Sequence, residues 1–430
     1  MKLINILLYM MGVFSTMYII SIGGVPISTW LALLSIIVII VLRGKMILLG
    51  DKWFFAFLCA AALTTIISLF SDPTYLGTQI ITFGVMAIIY FCVAQMKLLP
   101  DRSISVFFYG LRLSCVLHIV WCLIQFFSYK LLGMDINNIV FVDMLHMAES
   151  ASSYRNGVLS ITGFCWHPSN LVPVLVISCV LLKRWYIWAV SFFIVIYAHS
   201  GTALLGLMIT FLFTLLLYIP RLTARIQKIS LSAIFLFILA IVGLVFLLVK
   251  TDFFLIITEK YQQIYDRIFG GNDMSSQVHM RYYAMLPFIW SKAGILEILF
   301  GCGLGCSGVL FSRYFYQYTQ LGAWVVESDP MNHVYSVGII GALLFYGWLI
   351  HLLLKNRGQN KRYLVILACL MICGVTYNVQ YVWVIMVELL MGVCMERKID
   401  IFQSDKLLWN KKTVKNNFDF LYKLCNIKRQ

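Results

Sequence analysis

Uninterrupted apolar runs recur along this chain of 430 residues, each near the length a helix needs to cross a hydrocarbon core, roughly 17–25 residues. They cover about 3–22, 27–42, 53–70, 78–95, 104–128, 168–182, 185–199, 202–219, 229–250, 333–354, 363–377 and 380–395. Runs such as Ile27–Leu42 show no alternation, and an open strand in lipid would leave its edge groups unpaired. The expectation is therefore an all-α polytopic bundle of twelve spans. The runs 168–182, 185–199 and 363–377 are short, so their ends are expected within protein rather than lipid. Composition agrees: 12% of residues are charged, about half the share of a soluble domain. So few charges cannot coat a water-facing surface, which excludes a soluble enzyme, a disordered chain and a secreted disulfide module. Most of the cysteines lie inside the runs, where cysteine behaves as a small apolar residue. A Cys302–Cys306 bridge is conceivable, and no Cys/His set has zinc spacing.

Lysine and arginine mark the sides. With the N-terminus inside, 24 of the 33 basic residues fall on the cytoplasmic side, 8 outside, and Arg112 within the run 104–128. Both termini are expected in the cytoplasm. The net charge of +15 thus records topology, and nothing supports a nucleic-acid partner. The first run lacks a small-x-small cleavage site and is expected to be a retained helix. Residues 1–395 read as a membrane domain with extracytoplasmic loops at 129–167 and 251–332, and residues 396–430 as a basic cytoplasmic tail. That tail either lies on anionic lipid or stays disordered.

The two long loops hold the uncommitted polar residues. Thr251–Phe269 and Met280–Phe300 carry apolar residues at helical spacing and are expected to cap the bundle or lie on the membrane surface. Outside arginines are scarce. Arg155 and Arg281 either grip phosphate oxygens, which the planar guanidinium suits, or snorkel to headgroups. Trp166-His167-Pro168-Ser169-Asn170 opens a run, as a helix cap or a ligand site. His199-Ser200-Gly201-Thr202 reads as a tight turn. Gly301-Cys302-Gly303-Leu304-Gly305 is not a dinucleotide loop, since no βαβ unit surrounds it; a turn that lets backbone approach a ligand stays open. Glu327-Ser328-Asp329-Pro330-Met331-Asn332-His333 sets two carboxylates and an imidazole where the long loop re-enters the membrane, either as a general base or as a polar helix start. Arg112 and Glu388, charges at membrane depth, are expected to pair.

Several of these pieces recur together in a known order. Arg155-Asn156-Gly157 followed by His167-Pro168-Ser169-Asn170, then Ser200-Gly201-Thr202-Ala203-Leu204-Leu205-Gly206, then Arg281, Gly301-x-Gly303-x-Gly305, Asp329, Asn332-His333-x-Tyr335 and Gly338-Ile339-Ile340-Gly341 resemble the O-antigen ligase/polymerase superfamily, most of all the Wzy-type polymerases of O-antigen or capsular polysaccharide. Here Gly201 stands where an arginine is common, and Asn332 precedes His333 where the family often has the reverse. The resemblance implies a GT-C-like bundle in a bacterial inner or plasma membrane. It also implies inverting, metal-independent glycosyl transfer on the outer face, without cofactor, between undecaprenyl-pyrophosphate-linked oligosaccharides. A flippase and a chain-length regulator are the implied protein partners, and membrane lipid the surroundings. By the same resemblance Arg155 and Arg281 bind pyrophosphate, one of His333, Asp329 and Glu327 is the base, and Asn332, Tyr335, Tyr282 and His167 contact substrate. Tyr283 and Trp290 are further aromatic residues suited to packing on sugar faces. A ligase delivering glycan to lipid A-core, and a secondary transporter, are the alternatives.

Overall fold

The structure, a computed structural model, describes residues 1–71, 73–147, 151–155, 157–226, 281–314, 326–355 and 360–402. The described chain is mostly helical. In order the helices are α1 (Lys2–Phe14), α2 (Ile27–Arg43), α3 (Lys52–Ser71), α4 (Leu76–Met96), α5 (Asp101–Leu132), α6 (Leu171–Leu182), α7 (Trp185–Tyr197) and α8 (Gly201–Ile226). They continue with α9 (Leu286–Lys292), α10 (Ile295–Phe300), α11 (Ser307–Tyr314), α12 (Asp329–Lys355), α13 (Arg362–Thr376) and α14 (Val382–Arg397). Each apolar run within the described residues falls on a helix over most of its length. Of these, α3, α4, α5 and α12 are long and apolar enough to cross a bilayer on their own, as a membrane protein requires. The expected run 229–250, the segment Thr251–Phe269 and most of the basic tail lie outside the described residues.

Local chemistry sets the helix ends. Pro100 precedes α5, whose first turn carries Asp101 where the helix dipole favours an acid. Gly133, left-handed at φ 65°, stops it. Helices α1 and α5 touch backbone to backbone. A Cβ at Gly12 would stand 2.2 Å from the Phe107 carbonyl oxygen, and one at Gly110 would stand 2.1 Å from that of Tyr9.

Some sequence expectations are corrected. The first run is not helical to residue 22; α1 stops at Phe14. Beyond it the Ser15 hydroxyl returns to the Met11 carbonyl (2.8 Å), and Thr16 turns to Ser114 of α5 (2.6 Å between hydroxyls). Nor is the chain purely helical. Strands β1 (Ser21–Ile22) and β2 (Val25–Pro26) form one antiparallel hairpin, and β3 (Ser153–Arg155) and β4 (Val158–Ser160) another. Both lie in loops between helices. Within the expected Met280–Phe300 segment, the residues described from 281 on do not run as a single helix, because Ala293 and Gly294 are extended and restart the chain as α10. Arg112 and Glu388 do not pair: Arg112 Nη2 donates to the Ile401 carbonyl (2.6 Å), while Glu388 accepts from Gln380 (3.2 Å). Cys302 and Cys306 are free thiols.

One continuous apolar core runs through the long helices. A second cluster (Tyr282, Ile289, Leu310, Val326, Met331, Tyr335) binds the short helices α9 and α11 to the start of α12. A third, around Met17, Phe141 and Phe164, fastens the first long loop to the end of α1. The bundle thus has a loop end and a basic end. At the basic end Lys97 and Lys355 flank Glu396 (3.1 and 3.4 Å), and Arg397 meets Asp101 (3.1 Å).

Candidate functional site

The loop end is organised by a bend in α12. Gly338 lies inside this helix at φ 67°, ψ −174°, a conformation open essentially to glycine alone. How sharp the turn is follows from His333 and Phe345. Twelve residues of straight helix would span about 18 Å, yet these two rings stack with centroids 4.0 Å apart. The segment Asp329–Val337 is therefore folded against the membrane helix it leads into.

The glycine run after α10 fills the bend. Cys302 N–H donates to Tyr335 O (3.1 Å) and Gly303 N–H to Ser336 O (2.8 Å). Thr64 of α3 donates to the Phe300 carbonyl (2.7 Å), and Gln79 of α4 to that of Cys302 (3.1 Å). A Cβ at Gly303, where φ is 113°, would meet the Gln79 amide at 2.1 Å. What approaches these glycines is the protein itself, the Ser336 backbone at Gly301 and the Gln79 and Thr82 side chains at Gly303 and Gly305, and the run is a structural interlock. Cys302 points its thiol at the Cys306 and Tyr335 carbonyls (2.9 and 3.1 Å), and burial pushes that thiol up to about 12.

Two tyrosine hydroxyls dock the end of the long loop onto this folded segment. Tyr335 Oη donates to the Tyr282 carbonyl (2.8 Å); Tyr283 Oη lies 2.7 Å from Ser328 Oγ and donates to the Val375 carbonyl (2.8 Å). Burial raises the Tyr283 hydroxyl above its ordinary value, with the Ser328 bond opposing and the nearby Asp329 adding to the rise. The segment carrying Arg281 is thereby packed against the segment carrying Glu327. Arg281 is exposed and Glu327 half-buried, whereas Tyr282 and Tyr335 are buried.

Asp329 faces the other way, into the bundle. Both its oxygens accept from Val379 N–H (3.2 and 3.1 Å), and one also from Gln380 N–H (3.4 Å). It therefore clasps the connection between α13 and α14, beside Gly374, where a Cβ would stand 2.4 Å from the carboxylate. Asn378 Nδ2 adds a bond to the Val326 carbonyl (2.8 Å). His333 is buried. Its Nδ1 is 2.7 Å from the Asp329 carbonyl, one helical turn back, and its ring also faces Phe57 of α3 (6.0 Å). The Asn332 amide oxygen accepts from Ser336 (3.3 Å).

The α13–α14 connection carries the network to the mid-chain motifs. Tyr377 lies 3.2 Å from His167 Nδ1 and stacks on that ring. Asn170 Oδ1 accepts from Tyr381 (2.7 Å) and Tyr377 (3.3 Å). Ser169 and Ser200 hydroxyls are 3.1 Å apart, which ties the His167–Asn170 turn to the start of α8. His167 also caps that turn, accepting from Ser169 N–H (3.3 Å). Arg155 ends β3, and its side chain lies outside what the structure describes. Its hairpin is anchored by Asp135, which accepts from Tyr154 and Ser152 (2.6 Å each).

Sequence reasoning gave Tyr283 only as an aromatic suited to sugar faces, paired Glu388 with Arg112, and missed Tyr377, Gln380 and Tyr381. Glu388 is fully buried with Oε1 on Gln380, and neither its Oε2 nor Gln380 Oε1 has a hydrogen-bond partner. The only signal for these residues was a short polar stretch, Tyr377-Asn378-Val379-Gln380-Tyr381, between two apolar runs. Among the described residues, no group of three His, Cys, Asp or Glu side chains is placed to hold a metal ion. No protein-family model matches this chain, and no curated protein matches it either.

Proposed function

We propose that the chain is a glycan polymerase of the bacterial inner or plasma membrane, a twelve-span GT-C-like bundle with both termini in the cytoplasm. In this reading it joins undecaprenyl-pyrophosphate-linked oligosaccharides on the outer face, with a flippase and a chain-length regulator as partners. The observation that carries the reading is the docking of the Arg281 segment onto the Glu327–Tyr335 segment through the Tyr335 and Tyr283 hydroxyls. In this reading the exposed Arg281 and the half-buried Glu327 share one patch of the loop end, above a buried polar network.

The chemistry asked of that patch is a single displacement. An acceptor hydroxyl attacks the anomeric carbon of the lipid-linked glycan, and its proton passes to a carboxylate. The bond from that carbon to the pyrophosphate oxygen breaks, and the electron pair leaves with the diphosphate. Arg281, with Arg155, supplies fixed positive charge where that leaving group develops its own. Among the three candidate bases we assign the role to Glu327, which is half-buried where Asp329 and His333 are buried. Asp329 is occupied by the Val379 and Gln380 amides, and His333 is enclosed by aromatic rings. Asp329, His333, Tyr282 and Tyr335 are then positioning residues, while Asn332 and His167 border the patch and the network behind it.

Complementation of a polymerase-null strain at equal expression tests this. Arg281→Ala and Glu327→Gln are expected to leave core plus a single repeat unit. Long-chain polymer at the parental level in both would overturn the assignment. A ligase acting on the same donor would instead leave unattached lipid-linked chains when deleted. The bend at Gly338 and the open Glu388 Oε2 favour a second reading, a secondary transporter, because such proteins use broken helices and intramembrane acids. Substrate uptake that collapses in Glu388→Gln with polymer unaffected would support it.

A further inference from the structure

At the basic end, away from the site above, the structure holds a cavity of about 720 Å³ between α6, α7, α8 and the start of α13. Three cations stand on its wall: Lys183 after α6, and Lys361 and Arg362 opening α13. Phe402 helps fix two of them. The Lys183 ammonium donates to its carbonyl and lies 5.7 Å from its ring, and the Arg362 guanidinium is 5.6 Å from the same ring. Among the described residues of the wall the one acid, Asp400, accepts from Asn360 (3.3 Å) and from Phe402 N–H (2.9 Å). The wall also carries the apolar side chains of Trp188 and Phe211, the latter 45% exposed. The outer side is open to where lipid would be, since Trp185 is 79% and Leu215 41% exposed.

A ligand for this cavity needs a compact anion at one end and hydrocarbon at the other. Fixed cations beside an exposed aromatic and aliphatic face describe an acidic lipid headgroup and its tails. The chain's own residues 403–430 are an unsuitable occupant, because their seven lysines and arginines outnumber their two aspartates and would meet like charge. We propose that this cavity binds the phosphodiester headgroup of an anionic phospholipid, with the acyl chains lying along α7 and α8. The site is independent of the glycan reading and stands or falls without it.

The test uses the full-length protein, delipidated in mild detergent and offered phosphatidylglycerol, phosphatidylcholine or inorganic phosphate, with retention read by native mass spectrometry and stability by thermal unfolding. Phosphatidylglycerol should be retained and raise the unfolding temperature, and the other two should do neither. Lys361→Gln with Arg362→Gln should weaken retention by roughly five-fold per charge removed. Equal retention of phosphatidylcholine, equal stabilisation by inorganic phosphate, or undiminished retention in the double variant would each overturn the proposal.

Discussion

The two ends of the bundle handle charge in opposite ways. At the basic end, Glu396 sits between Lys97 and Lys355, and Asp101 meets Arg397, in pairs that stay partly exposed. Such pairs are individually weak and replaceable. At the loop end, Asp329 and Glu388 are buried, and what holds them is the Val379 and Gln380 amides and one side-chain amide. Removing a carboxylate from water and holding it by neutral donors is costly. The contrast teaches that exposed pairs leave the packing around them replaceable, whereas buried charge fixes the internal geometry. It also predicts where substitutions will hurt.

The largest effect should come from Gly338→Ala. The left-handed backbone there and a Cβ placed 2.2 Å from the Leu299 carbonyl oxygen together cost about 4 kcal/mol. The bend would open, and the Cys302 thiol, half-buried and directed at the Cys306 and Tyr335 carbonyls, would become more reactive to maleimide in peptide mapping. An unreactive Cys302 in a normally accumulating variant would show that the interlock is not what shapes this end. Next, Asp329→Ala leaves two buried amide donors unanswered and should cost about 3 kcal/mol, read as a lower unfolding temperature in detergent. Asp329→Asn, which keeps one acceptor oxygen, should recover part of that loss.

Glu388→Gln should be nearly silent in stability, at most about 1 kcal/mol in the stabilising direction. It keeps an acceptor for Gln380 and removes a buried charge. A strong destabilisation would mean that the ionised carboxylate itself is structural. The smallest effect belongs to the basic end: Glu396→Gln should cost about 0.5 kcal/mol. Burial raises the Glu396 carboxyl, but hydrogen bonds and charge from Lys97 and Lys355 outweigh this and hold it below its ordinary value. Its contribution is therefore complete above the ordinary carboxylate range and is lost as pH falls through the lowered value, so acid should erase the difference between wild type and variant. A Glu396→Gln loss as large as that of Asp329→Ala would dissolve the contrast between the ends.

Much of this was legible in sequence, unevenly. The apolar runs located the helices because hydropathy is a local sum and needs no knowledge of neighbours. Gly338 and Gly341 inside an apolar run were visible, yet nothing local said that the first would bend the helix hard enough to lay His333 on Phe345. A histidine four residues after an aspartate reads as chemistry; only in space does the ring stack on Phe345 and the aspartate accept from the amides of a distant loop. Arg112 and Glu388 failed as a pair for a related reason. Each lies in the middle of its run, but Arg112 reaches toward Ile401 at the basic end, while Glu388 is tied to Gln380 on the loop side.

The residues by themselves determined that the chain is helical, lipid-compatible and basic at one end, because these properties add up from composition and spacing alone. Only the tertiary structure decided which polar groups meet. That depends on a single left-handed glycine and on tyrosine hydroxyls that bridge 45 and 53 positions of sequence, contacts whose partners are set by the path of the backbone and not by anything written beside them.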